Sequence, residues 1–149
     1  MKQINIIAYD NLRHRDQVIC LWQNVFNYTT AYNAPGIAID KKIQVADGLF
    51  FVALQGDTVI GTVMAGYDGH RGWIYSLAVL PVMQKQGVGA ALLKHAELAL
   101  AGLGCVKINL QVIQANKKVL GFYVANGYTK NECISMGKVM HENLPKKGL

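Results

Sequence analysis

The chain has 149 residues, of which 52% are apolar and 16% are charged, and its formal net charge is +6. This length predicts a single domain over residues 1–149 that needs no disulfide or metal ion to fold. Its core is expected over residues 1–142 and a frayed tail over 143–149. The composition excludes an intrinsically disordered chain, and no apolar run approaches the ~18 residues of a membrane span. The N-terminal stretch lacks the long apolar core of a signal peptide, so a cytoplasmic protein is expected. Three cysteines without metal-ligand spacing are expected to be reduced core or near-core thiols: Cys20, Cys105 and Cys133.

Turn-forming residues and apolar periodicity divide the first half of the chain into one strand, two helices and three further strands. Aromatic and β-branched runs favour strands, whereas apolar residues at every third or fourth position favour helices. The first helix is expected to be capped by Asp10 or Asn11. The predicted elements are a strand over 4–9, helices over 12–26 and 37–46 separated by a loop at 29–36, two strands within 49–67 joined at 55–57, and a strand over 73–79 after a turn at 68–72.

The second half predicts alternating helices and strands. A helix with a wide apolar face is expected to follow a glycine-rich turn and to end at Gly104. A strand over 105–112 and a helix over 116–128 follow, and a last strand or hairpin is expected over 128–140. The strand–helix–strand crossover places its two strands parallel. The predicted fold class is therefore α/β (α+β), with a mixed, mostly antiparallel central sheet of six to seven strands and about four helices on its faces.

The turn between the third antiparallel strand and the following helix carries an unusual set of residues. Pro81 ends the strand, and the glycine turn, residues 84–89, then reads Gln84-x-x-Gly87-x-Gly89. Glycines permit left-handed torsions, and the first N–H groups of a helix have no internal partner, so such a turn can bind phosphates. Neither the dinucleotide pattern nor the P-loop pattern fits, because position 92 is leucine and no Gly-Lys-[Ser/Thr] follows. The residues alone leave a structural packing turn and a phosphate site both open.

The glycine turn, after a strand that ends in Leu-Ala-Val-x-Pro, resembles the pyrophosphate-binding motif of the GNAT superfamily of acetyl-CoA-dependent N-acetyltransferases. A second segment, Asn116 to Tyr128, resembles that superfamily's Asn-x6-Tyr-x3-Gly-[Phe/Tyr] signature. The predicted element order also matches along the whole chain. The stretch 61–72 is further similar to the bacterial YpeA-like branch of acetyltransferases.

The resemblance implies transfer of an acetyl group from acetyl-CoA to a primary amine that attacks directly. It implies that Asn116 contacts the pantetheine arm and that Tyr123 protonates or hydrogen-bonds the departing thiolate; a backbone N–H of the strand at 73–79 polarises the thioester carbonyl. On a helix, the seven-residue spacing of Asn116 and Tyr123 places both on one face. The residues expected to bind acetyl-CoA are Leu77, Ala78, Val79, Gln84, Lys85, Gln86, Gly87, Val88, Gly89, Ala90, Asn116 and Tyr123.

No general base is evident. The strand positions that would face the acceptor are Trp73 and Tyr75, which are poor bases at neutral pH, so Asp68 and His70 in the preceding turn are the nearest candidates. A water chain, or an amine that is already neutral, is the alternative. His95 is expected to be a packed histidine, and no metal site is predicted. Four aromatic residues could line an acceptor pocket, although core packing is the simpler explanation for the first two: Trp22, Phe26, Tyr28 and Tyr32.

The acceptor amine is left open between small molecules and protein amines, as is the choice between a monomer and a homodimer. Positive charge is concentrated in the last third of the chain, where residues 101–149 hold seven Lys/Arg against two Asp/Glu. A basic nucleic-acid-binding module would show a denser basic stripe, so nucleic acid is not the expected partner. A non-catalytic acyl-CoA sensor is the other alternative, and thiol release with a panel of amines would separate it from an enzyme.

Overall fold

A computed structural model describes residues 3–26, 33–114 and 116–140 of the chain. The described residues contain five strands and four α-helices. In chain order these are β1 (Ile4–Ala8), α1 (Asn11–Val25), α2 (Pro35–Val45), β2 (Phe50–Gln55), β3 (Thr58–Tyr67), β4 (Gly72–Val79), α3 (Val88–Gly102), β5 (Ile108–Leu110) and α4 (Lys118–Ala125). A 3₁₀ turn over Pro81–Met83 follows β4. Within these ranges, no helix combines the length and the apolar character that a membrane crossing requires.

The strands form one sheet in the order β1-β2-β3-β4-β5. The first three pairings are antiparallel, and β5 pairs with β4 in parallel after the α3 crossover. The mixed, mostly antiparallel sheet and the four helices agree with the sequence prediction. The expected number of strands, six to seven, is wrong for the described residues.

The missing strand is the one expected over 128–140, where the backbone forms no strand. Two of its large apolar side chains, Ile134 and Met136, are 90% and 91% exposed. They form a single alternating pair between Asn131 and Gly137, which is too short an apolar run to bury one face of a strand. The expected tail at 143–149 lies outside the described residues.

Helices pack on both faces of the sheet, as two adjacent residues of β3 show. A Cβ added at Gly61 would lie 2.8 Å from a side-chain carbon of Leu92 on α3, so this position faces α3. The next residue, Thr62, points the opposite way and is hydrogen-bonded to Trp22 of α1. The core on that face contains Val18, Leu21 and Trp22 of α1 and Ile39 of α2.

The first helix begins where its cap dictates. The Asp10 carboxylate accepts the N–H groups of Leu12 and Arg13, at 2.9 and 3.4 Å, so Asp10 rather than Asn11 is the cap.

The expectation of core or near-core thiols was wrong for two of the three cysteines. Cys20 and Cys133 are exposed, and Cys105 is half-buried. Cys20 lies between the buried residues Val18 and Trp22, two positions from each, and that spacing turns it to the solvent side of the helix.

The chain divides into two compact units, Met1–Gln111 and Val112–Leu149. The first contains the whole sheet with α1, α2 and α3, and the second contains α4.

Candidate functional site

Strand β4 loses its partner on one edge halfway along its length. Residues Gly72–Ile74 pair with β5, but none of the described strands pairs with residues 75–79 on that edge. On the other edge, β3 continues beside β4 to Val79. The first unit therefore has a stretch of unpaired backbone, the open edge of β4 (residues 75–79), inside its sheet.

A β-bulge marks the point at which the open edge begins. The register runs from Met64 opposite Tyr75 to Thr62 opposite Ala78, so two β4 residues, Ser76 and Leu77, oppose a single residue of β3. Ser76 has a φ of 53°, in the left-handed region that a non-glycine residue seldom occupies. A bulge of this kind bends its strand and increases the local twist, which accounts for the early end of the pairing with β5.

The backbone at the end of β4 directs hydrogen-bonding groups to the open edge. Leu80 donates its N–H to Ile60 O at 2.9 Å, which makes Val79 and Gly61 a non-hydrogen-bonded pair. Both backbone polar groups of Val79 therefore point away from β3. By the same alternation Leu77 also faces the open edge, whereas Ala78 is paired with Thr62 and buried. Of the three β4 residues predicted to bind acetyl-CoA, two therefore present backbone groups at the open edge: Leu77 and Val79.

A buried side-chain relay fixes the bulge. The indole Nε1 of Trp22 donates to Thr62 Oγ1 at 2.8 Å, and this hydroxyl donates to the carbonyl oxygen of Ser76 at 2.9 Å. Thr62 is 0% exposed and Trp22 is 1% exposed. Sequence reasoning treated Trp22 as a core or pocket aromatic and missed Thr62 altogether, because a threonine within a β-branched strand carries no signal of its own.

The glycine turn connects β4 to α3 through two left-handed residues. Lys85 has a φ of 64°, and Gly87, the residue that precedes α3, has a φ of 85°. The first intrahelical bond runs from Ala91 N to Gly87 O, at 3.0 Å, so the N–H groups of Val88, Gly89 and Ala90 have no partner within the helix. These three donors lie at the positive end of the helix dipole.

The two glycines of the turn differ in their backbone. Gly87 adopts a left-handed torsion, whereas Gly89, which is the second residue of α3, has no positive φ. Gly89 contributes instead by lacking a side chain beside the free N–H groups.

The polar side chains of the turn brace the loop. Gln84 donates its Nε2–H to Val79 O at 3.0 Å, and Gln86 donates to Val82 O at 3.3 Å. Gln84 thereby occupies the Val79 carbonyl and leaves the Val79 N–H directed at the open edge. Lys85 and Gly87 are exposed, and Val88 is buried and holds the first turn of α3 to the core.

The second motif lies in the second unit. Tyr123 is on α4, where its ring packs edge-on against Phe122 and Tyr128, at 5.2 and 5.8 Å between centroids. Burial raises the pKa of Tyr123, so its hydroxyl stays protonated at neutral pH. Asn116 is exposed and lies two residues before α4, in a turn where Val119 N donates to Asn116 O at 3.3 Å. Contrary to expectation, Asn116 lies outside the helix, which begins at Lys118. The helical spacing therefore does not by itself place Asn116 and Tyr123 on one face of α4.

Of the two candidate bases, Asp68 is poorly suited to proton abstraction. The backbone N–H groups of Arg71 and His70 both donate to Asp68 Oδ1 at 2.7 Å, and they hold the pKa of this carboxyl below its ordinary value. A carboxylate stabilised in its charged form is a weaker base. His70 is exposed on the same turn.

The remaining predicted residues either pack against other side chains or lie outside the described residues. Trp22 and Phe26 pack together in the core, at 6.4 Å between ring centroids, which favours packing over a pocket role. His95 packs against Phe51 at 4.6 Å, as expected for a packed histidine. Tyr28 and Tyr32 lie outside the described residues. In the part of the chain that is described, no three His, Cys, Asp or Glu side chains are grouped to hold a metal ion.

The sequence and the fold of the chain are similar to those of known proteins. A family model described as the acetyltransferase (GNAT) family matches residues 17–128. The chain is similar to the structure of the aminoglycoside N-acetyltransferase AAC(6')-Iy in complex with CoA, at 18% identity over 93% of this chain and 96% of the other, with a TM-score of 0.76.

Two further structures show the same fold. One is the PaiA N-acetyltransferase from Thermoplasma acidophilum in complex with coenzyme A, at 16% identity over 89% of this chain and 93% of the other, with a TM-score of 0.75. The other is a glucosamine-6-phosphate N-acetyltransferase from Arabidopsis thaliana, at 17% identity over 93% and 99% of the two chains, with a TM-score of 0.68.

Proposed function

The chain belongs to the acetyltransferase (GNAT) family and is thus an acyltransferase that uses acetyl-CoA; we propose that its open β4 edge and glycine turn bind acetyl-CoA for transfer of the acetyl group to a primary amine. The observation that carries the proposal is the pairing of two features in one unit. The N–H of Val79, directed at the open edge, suits the amides of an extended arm, and the N–H groups at the start of α3 suit a pyrophosphate.

Each part of the site has a distinct task in the proposal. Val88, Gly89 and Ala90 donate backbone hydrogen bonds to the pyrophosphate, and Gly87 supplies the torsion that turns these donors outward. The side chains of Gln84 and Gln86 hold the turn in place, and Lys85 is an exposed cation beside it. Leu77 and Val79 offer backbone groups to the pantetheine arm, while Ala78 keeps the strand seated in the core. Asn116 is proposed, from the second motif, to contact the same arm.

The chemistry requires little of the protein's side chains. Acetyl-CoA supplies a thioester whose carbonyl carbon a neutral amine attacks, so that a C–N bond forms and the C–S bond breaks. A backbone N–H on the open edge of β4 stabilises the negative charge that develops on the carbonyl oxygen. Tyr123, whose pKa is raised by burial, is proposed to donate a proton to the departing thiolate. The amine's proton passes to water, since Asp68 is a poor base.

Binding and turnover are tested separately. Acetyl-CoA should raise the melting temperature, because a ligand that binds only the folded state stabilises it by mass action. Thiol release is then followed with a panel of primary amines. No thermal shift at millimolar acetyl-CoA would overturn the binding site, and a shift without thiol release from any amine would favour the acyl-CoA sensor over the enzyme.

Four narrower assignments complete the proposal. These four stay predictions: the similarity of residues 61–72 to the YpeA-like branch, a single functional domain over the whole chain, a cytoplasmic location, and a monomeric or homodimeric state. Size-exclusion chromatography with light scattering measures the last of them.

A further inference from the structure

A pocket of about 270 Å³ lies between the C-terminal half of α2 and the start of β4. Its walls include two aromatic side chains, Trp73 and Tyr75, which alternate on one face of β4, and the charged residues Lys42, Asp47 and Asp68. All of these residues belong to the first unit. Sequence reasoning weighed Asp68, Trp73 and Tyr75 only as bases, and it gave no sign of Lys42 and Asp47.

The lysine of this pocket is not available to a ligand. Lys42 is 7% exposed, and its ammonium group donates to Asp47 Oδ2 at 2.8 Å, to Tyr75 Oη at 3.1 Å and to the Ala65 carbonyl oxygen. An ammonium group has three N–H donors, so these three acceptors occupy all of them. An anionic ligand would therefore find no free cation in Lys42, and Asp47 is neutralised by the same ion pair.

The negative charge of Asp68 is not balanced by a cation among the residues that line the pocket. Its Oδ1 accepts the two backbone bonds of the turn, whereas the contact of its Oδ2 is the longer 3.4 Å bond from Trp73 Nε1. One positive and two negative charges line the pocket, which gives a net charge of −1 there. A negative pocket with aromatic walls, on a chain whose net charge is +6, favours a cationic ligand.

The pocket lies along β4 from the proposed reaction centre. Trp73 precedes the bulged residue Ser76 by three residues, which is about 10 Å along a strand at ~3.3 Å per residue. An amine that attacks a thioester held at the start of the open edge of β4 would thus lie ~10 Å from a group bound beside Trp73 and Asp68.

We propose that this pocket holds a second, cationic group of the acceptor, so that the preferred acceptors are elongated dications with one reacting amine and one distant ammonium. Asp68 is the counter-charge and Trp73 the aromatic wall for that ammonium. The identification of the bound dication as the acceptor rests on the proposed function; the selectivity of the pocket for dications does not.

The test compares diaminoheptane with heptylamine, two probes of equal carbon chain that differ in one ammonium group. Binding is followed through the fluorescence of Trp73, since the chain has two tryptophans and the other, Trp22, is buried. Titrations are run on the free protein and on the protein saturated with CoA. Asp68→Asn keeps an oxygen acceptor for the turn and removes the charge, and Asp57→Asn changes an exposed aspartate in the β2–β3 turn as the matched control.

We expect diaminoheptane to bind the wild-type protein roughly three- to tenfold more tightly than heptylamine, as suits an exposed ion pair with an aromatic neighbour. Asp68→Asn should remove this difference and Asp57→Asn should keep it. Equal affinity for the two probes, or a difference that survives Asp68→Asn, would overturn the proposal.

Acetylation kinetics separate this proposal from the proposed function. If the enzyme acetylates both probes, the KM for diaminoheptane should rise three- to tenfold in Asp68→Asn while kcat and the KM for heptylamine stay unchanged. Failure of the protein to bind CoA would overturn the proposed function while the dication preference of the pocket stands. Turnover of both probes with equal KM would overturn the pocket's role and leave the acetyltransferase assignment intact.

Discussion

Trp22 and Thr62, which are forty residues apart in sequence, share a buried hydrogen bond of 2.8 Å that links α1 to the bulge of β4. Thr62 passes the connection on to the Ser76 carbonyl, at 2.9 Å. A side chain of the first helix thereby holds in place the strained backbone from which the open edge of β4 begins.

Thr62→Val tests this relay. Valine has nearly the same shape but no hydroxyl, so the buried Trp22 Nε1 and the part-buried Ser76 O would both lose this partner. Two fully buried unpaired groups would cost ~2–6 kcal/mol, but the part-buried Ser76 carbonyl can recover water. We therefore expect the free energy of unfolding in urea to fall by roughly 2–4 kcal/mol. Thr62→Ser should restore most of it, and Thr58→Val, at the exposed start of β3, is the control. Equal losses in Thr62→Val and Thr58→Val would mean that the relay contributes nothing to stability.

Lys42→Met removes a buried ammonium group while keeping an unbranched side chain of similar length. Asp47 and Tyr75 lose their shared donor, although the Asp47 side chain is 26% exposed and can recover water. We therefore expect a loss of about 1–3 kcal/mol in the free energy of unfolding, below the full cost of breaking a buried ion pair. Lys94→Met, at an exposed position of α3, should change it by less than about 0.5 kcal/mol. An undiminished stability in Lys42→Met would show that the three acceptors find other partners.

Gly87→Ala and Gly89→Ala separate the two uses of glycine in the turn. A Cβ at Gly87 meets no atom within 4 Å, so the cost of alanine there is torsional, roughly 1–2 kcal/mol at a left-handed position. Gly89 lies inside α3, where alanine should raise the free energy of unfolding by up to ~1 kcal/mol through helix propensity. We expect both variants to bind acetyl-CoA more weakly by calorimetry, so Gly89→Ala should be more stable and yet bind less. Unchanged affinity in Gly89→Ala would mean that the turn has a structural role alone.

His14 gives the fold a pH dependence near neutrality. Its Nδ1 accepts the Asp10 N–H at 2.9 Å, and burial lowers its pKa below the ordinary histidine value of 6.5. A lowered folded-state pKa means that the unfolded chain binds the proton more readily, so stability is full above about pH 6.5 and is lost as the pH falls through the folded-state pKa. The free energy of unfolding, measured at intervals from about pH 7.5 to about pH 5, should fall in the wild-type protein and fall less in His14→Gln. His70→Gln, at an exposed turn, should follow the wild type; parallel curves for all three proteins would contradict the assignment.

Tyr123→Phe tests the proposed acid directly. The ring and its packing survive, so acetyl-CoA affinity should stay within a few-fold while kcat falls by roughly 10- to 1000-fold, nearer the lower figure because a thiolate leaves easily. Since the pKa of Tyr123 is raised above 10.0, the wild-type rate should decline only above that pH, and this decline should be absent in the variant. Tyr9→Phe removes a hydroxyl outside the motif as the control. An unchanged kcat with an unchanged alkaline limb would leave the thiolate to be protonated by solvent.

The sequence predicted the elements whose cause is local and missed those whose cause is a distant partner. Apolar periodicity and turn residues located the four helices and the first five strands, and the Asp10 cap follows from its neighbours alone. The bulge at Ser76 could not be foreseen, because serine has no preference for a positive φ and the bulge depends on Thr62 and Trp22. Lys42 is buried by its position on the apolar face of α2, three residues after Ile39, and a lysine in a helix is ordinarily read as exposed.

The same distinction applies to the site. Gly87 indicated the turn in the sequence, because a left-handed torsion restricts the choice of residue. Which backbone groups of β4 face outward depends on register, and the shift at Ser76 sets that register. The split between Leu77 and Val79 on one edge and Ala78 on the other therefore needed the structure.

The bulge at Ser76 also bears on solubility. An unpaired strand edge can template the addition of a strand from another molecule, and natural sheets protect such edges with bulges that disturb the regular spacing of donors and acceptors. The distortion that exposes backbone at residues 75–79 also makes this edge a poor template for a regular strand. A flexible ligand arm can follow the irregular spacing, whereas a neighbouring copy in extended conformation cannot, so the chain can leave part of its sheet open without inviting aggregation there.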